Sequence, residues 1–260
     1  MKKLLIFVYG VVSYLIFFAC FLYLIGFLSN WLVPKSIDSG EPGSITGPIL
    51  PALLVNLGLM ALFGLQHSIM ARPGFKAWWT RIVPKAAERS TYVLLSSLLL
   101  ILLYWQWRPF PTELWQVDHW LGQAIFWVLM GVGVSLILIS SFLINHFELF
   151  GLQPVYLHLR SAKPAPIHFG TPLLYRLVRH PLHLGTTIVL WATPTMTVGH
   201  LLFAVVMTIY IVIGIHYEER DLVRHFGDTY REYQRKTPML APGLRRRAEQ
   251  RNPQPAVAGD

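Results

Sequence analysis

The chain has 260 residues, of which 54% are hydrophobic and only 13% charged, with a formal net charge of +9. Soluble domains carry about 25% charged residues, and the mean hydropathy of +0.47 places this chain among integral membrane proteins. A soluble enzyme, a disordered chain and a secreted disulfide scaffold are excluded, and the single cysteine, Cys20, rules out an internal disulfide or a thiolate metal cluster.

Lys2 and Lys3 precede an apolar run from Leu4 to Val33. A signal peptide's apolar region is about 7–15 residues long, so this run reads as an uncleaved first transmembrane helix. Runs at Ile49–Met70, Tyr92–Trp107 and Leu121–Ile144 predict three further crossings, each near the ~20 residues a crossing needs. After a polar stretch come Leu182–Thr193 and Leu201–Ile215, broken at Thr193-Pro194. A helix over the first of these rises only about 18 Å, less than the ~30 Å hydrocarbon core. The pair reads as a helical hairpin, leaving five crossings or six segments. The expected fold is all-α, an integral membrane protein with about five transmembrane helices and a C-terminal hairpin.

With the N-terminus inside, 20 of the 22 Lys and Arg residues fall on one side of the membrane. The outer loops hold only Lys35 and Arg108, together with Asp38, Glu41, Glu113 and Asp118. This asymmetry predicts cytoplasmic N- and C-termini. It accounts for the positive charge without nucleic acid, and nothing in the sequence points to an obligate protein partner. Arg245-Arg246-Arg247 reads as an anchor on anionic lipid, and Trp31, Trp78-Trp79, Trp105, Trp107, Trp115 and Trp120 as interfacial anchors.

Ionisable groups at membrane depth are costly and are therefore candidates for function. Gln66-His67-Ser68 ends the second run; His67 either lines a pocket or pairs with a backbone carbonyl. Asn145-His146-Phe147-Glu148 ends the fourth. An imidazole and a carboxylate there need partners, and a histidine titrating near neutrality suits a general base. Asn145, His146 and Glu148 are accordingly candidates for a substrate pocket.

A third cluster runs from Tyr175 through Arg179, His180, Pro181, His183 and Leu184 to Gly185. Pro181 suits the first turn of a helix, whose free amides attract anionic or polar groups. Arg179 can fork onto a carboxylate, and Gly185 permits close backbone approach. The plainer reading is a basic helix start at the interface. The fourth cluster is Glu218-Glu219, followed by Phe226-Gly227 and by Tyr230 and Tyr233. Adjacent glutamates project about 100° apart on a helix, so at most one points straight into a site. The plainer reading here is a solvated, salt-bridged helix. The hairpin brings the third and fourth clusters to one mouth.

Tyr-x-x-Val-Arg-His-Pro-x-x-x-Gly from Tyr175, the hairpin, Glu-Glu-x-x-Leu from Glu218, Phe-Gly-x-x-Tyr-x-x-Tyr from Phe226 and the closing Pro238 resemble the membrane methyltransferase superfamily. That superfamily includes the isoprenylcysteine carboxyl and phospholipid methyltransferases. The resemblance covers residues 172–242 and implies S-adenosylmethionine bound at the cytosolic face. It implies that Tyr175, Arg179, His180, Pro181, His183, Leu184, Gly185, Glu218, Glu219 and Tyr230 bind the cofactor. Arg179 would take its carboxylate, Glu218 or Glu219 its ribose or amino group, and Tyr230 the adenosine side. The prenylcysteine enzymes usually carry Tyr at the position of His183.

Gln66–Lys76, Asn145–Gln153 and Trp191–Leu201 are similar to the bacterial methanethiol S-methyltransferases, which extends the resemblance over most of residues 50–242. It implies conversion of methanethiol to dimethyl sulfide in a bacterial inner membrane, with hydrogen sulfide as a second acceptor. The partners are then a small volatile thiol and membrane lipid. Residues 1–171 would form the substrate pocket, 172–242 the cofactor-binding hairpin and helix, and 243–260 a disordered basic tail. His146 and His180, then His67, are the candidate catalytic bases. Alternative readings are a lipid or prenylated thiol acceptor, or a non-enzymatic protein of the related NnrU type. A di-metal hydroxylase using His67, His146, His180 and His216 is disfavoured because these histidines are scattered, and no metal site is expected.

Overall fold

The structure is a computed structural model that describes residues 1–39, 48–164 and 169–241; the tail from residue 243 lies outside them. Helix α1 (Lys2–Ser29) stops before its apolar run does, because Asn30 turns left-handed at φ 56° and returns its N–H to the Gly26 carbonyl. Helix α2 (Ile49–Ala71) gives way at Arg72 to the short α3 (Pro73–Trp79), which has Pro73 in its first turn. Helix α4 (Glu88–Gln106) packs against α1 and α2. Strand β1 (Glu113–Gln116) precedes α5 (Trp120–Ile144). Two short helices, α6 (His146–Leu149) and α7 (Leu152–Arg160), and the single turn α8 (Leu174–Leu177) follow. Helix α9 (Pro181–Trp191), strand β2 (Thr195–Thr197), α10 (Val198–Phe226) and α11 (Asp228–Lys236) complete the chain.

Helices α1, α2, α5 and α10 are each long and apolar enough to cross a membrane, and α4, with 19 residues, rises about 28 Å. The fold is therefore that of an all-α integral membrane protein. Large apolar side chains such as Leu15, Leu54, Val128 and Ile209 point outward, as helices bathed in lipid require.

The hairpin is not a simple pair of helices. Helix α9 has 11 residues against the 29 of α10, on which it packs. At its end the Trp191 indole N–H donates to Thr208 Oγ1 at 3.0 Å. The rest of the ascent, Ala192 to Thr197, is extended. Backbone outside a helix must find partners within the protein at this depth. It finds them on β1, which pairs antiparallel with β2 through Glu113↔Thr197 and Gln116↔Thr195. The Val117 and Gly199 N–H groups extend the zip to the Pro194 and Phe110 carbonyls, each at 3.0 Å.

Helix association in lipid depends on close packing and polar contacts more than on burial from water. The fully buried Phe27 ring meets Tyr104, Trp107 and Phe203 at centroid distances of 5.1, 6.1 and 6.1 Å, joining α1, α4 and α10. The buried Asn56 amide donates to the Arg108 carbonyl at 2.7 Å and accepts its N–H at 2.9 Å, closing the end of α4 inside the protein.

Helices α5 and α9 meet through glycines. A Cβ on Gly185 would stand 2.6 Å from the Gly133 carbonyl oxygen, and one on Gly133 would stand 2.9 Å from that of Gly185. The close approach that Gly185 permits is thus to a neighbouring helix. Overpacking costs about 1–3 kcal/mol, so Gly185→Ala should lower the thermal midpoint in detergent; an unchanged midpoint would show that α5 yields without cost.

Candidate functional site

A cavity of about 1030 Å³ opens between α2, α4, α9 and α10 and the segment that begins at Phe169. One wall is apolar and includes Phe17, Phe63, Val93, Leu100 and Phe150. The other carries Arg176, Arg179, His180, His183, Glu218 and Tyr233.

The polar wall is assembled where α9 starts. Arg179 and His180 immediately precede the helix, and their N–H groups donate to the carbonyls of Pro238 (2.9 Å) and Met239 (3.2 Å). The stretch closing the sequence motif therefore backs the Arg-His pair directly. Arg179 Nε donates to Glu219 Oε1 at 2.6 Å, and its Nη1 donates to the Gln234 and Thr237 carbonyls at 3.0 and 2.6 Å. Glu219 also accepts from His180 Nε2 at 3.0 Å and from the Gln234 side chain at 2.9 Å.

The two glutamates diverge as their spacing on a helix requires. Glu219 turns into the protein, its side chain 14% exposed, whereas Glu218 is 47% exposed and lines the cavity. His180, buried between them, sets Nδ1 3.5 Å from Glu218 Oε2. Burial pulls its pKa down, but hydrogen bonds to both carboxylates outweigh that, and the net position is above the ordinary histidine value. His183, one turn further, meets the His180 ring edge-on at 5.6 Å. Among the described residues no hydrogen bond engages its ring nitrogens, and it lines the cavity.

Across the cavity, His67 Nε2 lies 2.7 Å from the Tyr92 hydroxyl and Nδ1 3.2 Å from Ser96 Oγ. Ser96 gives its own proton to a carbonyl oxygen, that of Tyr92 at 2.9 Å or of Gln66 at 3.1 Å. It therefore accepts from Nδ1–H, and Nε2 accepts from the Tyr92 phenol. His67 thus lines the cavity with both nitrogens engaged.

Other residues singled out in the sequence have different surroundings. His146 Nδ1 is 2.8 Å from Ser141 Oγ and Nε2 2.9 Å from the Tyr14 hydroxyl, while its ring stacks on Phe142 at 4.2 Å. Burial holds its pKa below the ordinary value. Asn145 caps α6, accepting from the Glu148 N–H at 3.3 Å and donating to the Glu148 carboxylate at 2.9 Å. Asn145, His146 and Glu148 build the corner between α5 and α6; their neighbours Leu143, Ile144, Leu149 and Phe150 line the cavity instead. Pro181 is buried in the first turn of α9, and Leu182 rather than Leu184 reaches the wall. Tyr175 lines the cavity, and Tyr230 is buried behind it, its ring 5.9 Å from Phe169 and 5.7 Å from Tyr233. Burial pushes the Tyr233 phenol up to about 12, so it stays neutral.

Residues assigned no site role from the sequence also line the cavity: Arg89 and Tyr92 on α4, Phe169, and, from within the third and fourth clusters, Arg176 and Tyr233. Tyr92 and Ser96 carried a readable signal, being polar groups at i and i+4 that mark one face of an otherwise apolar helix.

The NnrU protein family model matches residues 55–245. The chain is 50% identical to methanethiol S-methyltransferase 2 of Bradyrhizobium diazoefficiens over 98% of each chain. It is 50% identical to methanethiol S-methyltransferase of Mycobacterium tuberculosis over 93% of this chain and 98% of that one. It is 33% identical to nurim of Sus scrofa over 71% of this chain and 76% of that protein. No solved structure matches it significantly.

Proposed function

The chain belongs to the NnrU family, and from that premise we propose that it methylates methanethiol to dimethyl sulfide with S-adenosylmethionine as methyl donor. The observation that carries this reading is a cavity with one polar and one apolar wall, in a chain half identical to named methanethiol S-methyltransferases.

The residues present fit that cofactor. Ligand sites of about 300–1,000 Å³ hold drug-sized molecules, so a cavity of about 1030 Å³ has room for the cofactor and a one-carbon thiol. Arg176 and Arg179 suit its carboxylate, and Phe169, Tyr175 and Tyr233 its adenosine. Glu218 puts a negative charge in the lumen, where a sulfonium cation is attracted. The cofactor supplies an electrophilic methyl group on that sulfonium.

The chain's own task is to hold the thiol in line and have it deprotonated. A thiol resembling free cysteine, with a pKa of about 8.5, is mostly protonated at neutral pH. Among the described residues His183 is the cavity-lining imidazole whose ring nitrogens have no hydrogen-bond partner, and we assign thiol activation to it. His180 and His67 are held by carboxylates, Tyr92 and Ser96, and position the walls. The apolar wall keeps water from the reacting pair and favours charge-neutralising collapse once the groups are aligned.

The charge asymmetry supports a bacterial inner-membrane location with both termini cytoplasmic. Methanethiol and dimethyl sulfide are small and apolar and can enter and leave through lipid.

Purified, detergent-solubilised protein given S-adenosylmethionine and methanethiol should release dimethyl sulfide, detected by headspace gas chromatography. Cofactor binding without dimethyl sulfide would redirect the reading to a larger thiol acceptor, and absence of both would favour a non-enzymatic NnrU protein. Because His146 is outside the cavity, His146→Ala should cost about 1–3 kcal/mol of stability through its two lost hydrogen bonds. It should leave kcat within about threefold, under 1 kcal/mol of barrier. A much larger fall in kcat, with the fold intact, would return the base role to His146.

A further inference from the structure

We propose that Phe17 and Phe150, locked in register by His146, decide which thiols the site accepts and hold it to the shortest alkyl thiols. That the acceptor is a thiol rests on the proposed function; the rigid aromatic wall does not.

The need for such a wall follows from the cavity. At about 1030 Å³ it is as large as the sites that hold drug-sized ligands, so its volume as a whole does not turn a longer thiol away. With the sulfur at the polar wall, the alkyl group points to the apolar one. Each methylene added against a yielding apolar surface strengthens binding about fourfold. A long thiol is therefore preferred unless fixed side chains stop it.

Phe17 and Phe150 are fixed in this way. Both line the cavity, and their rings stack at a centroid distance of 3.9 Å with planes 20° apart. Phe17 is on α1 and Phe150 follows α6, so the stack joins separate elements. The backbone on both sides of Phe150 is tied to the first turn of α4. Arg89 Nε donates to the Leu149 carbonyl at 2.8 Å, and Ser90 Oγ donates to that of Gly151 at 2.9 Å. Gly151, at φ 84°, passes so close that a Cβ on it would stand 2.6 Å from the Ser90 nitrogen. A ring seated like this does not move aside with its backbone.

His146 supplies the register. Tyr14 and Phe17 are three residues apart on α1 and share a face. The Tyr14 hydroxyl lies 2.9 Å from His146 Nε2, and the His146 ring meets that of Phe150 at 4.8 Å, inclined by 62°. This hydrogen bond sets the face of α1 that carries Phe17 against the turn that carries Phe150. Phe142, stacked on His146 at 4.2 Å, and Ser141 Oγ, 2.8 Å from Nδ1, keep the imidazole from turning. Polar contacts of this kind hold helices together in lipid, where apolar burial does not. His146 is thus a positioning residue that acts on the acceptor through Phe150, and the Asn145–Gly151 stretch has a task other than proton transfer.

The test measures kcat/KM for methanethiol, ethanethiol, propanethiol and butanethiol by headspace gas chromatography, with full-length protein in detergent and S-adenosylmethionine. In the wild type each added methylene should lower kcat/KM about 10-fold or more. Phe17→Ala and Phe150→Ala should each raise the butanethiol-to-methanethiol ratio at least 10-fold. His146→Leu should raise it in the same direction and by less. Loss of folded protein lowers both rates alike and leaves the ratio in place, so instability does not imitate the result. Calorimetry with butanethiol, in the presence of S-adenosylhomocysteine, adds a readout without turnover: binding should be at least 10-fold tighter in Phe150→Ala than in the wild type. A wild type that prefers the longer thiols, or variant ratios equal to that of the wild type, would overturn the proposal. Tighter butanethiol binding in Phe150→Ala, with no methyl sulfide from the wild type and any of the thiols, supports the wall and tells against the proposed reaction.

Discussion

Glu219→Ala is expected to lower stability in detergent by about 3–5 kcal/mol, the cost of stripping one partner from a buried ion pair, and to abolish cofactor binding with it. Glu219 accepts from Arg179, His180 and Gln234, which belong to the start of α9 and to α11. The Arg179 side chain is only 12% exposed. Removing the carboxylate leaves the Arg179 guanidinium without its counter-charge and His180 Nε2 without its acceptor, with only Glu218 remaining beside the imidazole, 3.5 Å from Nδ1. The side-chain clamp on α11 is then reduced to the Arg179 bonds to the Gln234 and Thr237 carbonyls and the Tyr233 hydroxyl's bond to the Tyr175 carbonyl. Glu218→Ala is the control: its side chain faces the cavity, so its loss should leave the thermal midpoint within a few degrees while still removing ligand binding. The Glu219 variant should drop the midpoint on the order of 10 °C. Equal midpoints for the two variants would mean that Glu219 belongs to the binding surface and not to the clamp.

The asymmetry between these glutamates shows how far the sequence could be read. Their adjacency on a helix meant that only one could face a site, but which one depended on Arg179 and Gln234, one nearly 40 residues before the pair and the other 15 after Glu219. The long helices were legible because each is a run of apolar residues that lipid demands. Helix α9 was legible as too short to cross. Its extended completion was not, since strands of four and three residues carry no usable periodicity and depend on β1 arriving from another loop. The Asn145-His146-Glu148 cluster looked chemical because polar groups at a membrane boundary need partners. The partners are Ser141, Tyr14 and the first turn of α6, so the cost is met within a corner of the fold. Gly185 was read as a point of close backbone approach for the cofactor, and the approach the structure shows is that of the Gly133 backbone on α5.

His183→Ala should lower turnover by about 10²–10⁴-fold, the range for removing a group that assists proton transfer, while the thermal midpoint moves little. The expectation follows from what the ring lacks. His180, His67 and His146 each have ring nitrogens engaged by protein groups, so truncating any of them orphans a partner and mixes stability with activity. The His183 ring has no such partner among the described residues, and its truncation enlarges the cavity without breaking a bond. The loss should therefore appear in kcat, with the affinity for S-adenosylmethionine, measured by calorimetry, nearly unchanged. His183→Tyr puts the residue usual in the prenylcysteine enzymes at this position. A phenol there removes the imidazole while keeping an aromatic ring, so it should be as slow as the alanine variant with methanethiol. If His183→Tyr retains most of the turnover, the ring serves as a wall of the cavity, and thiol activation must be sought at His67 and Tyr92 on the opposite side.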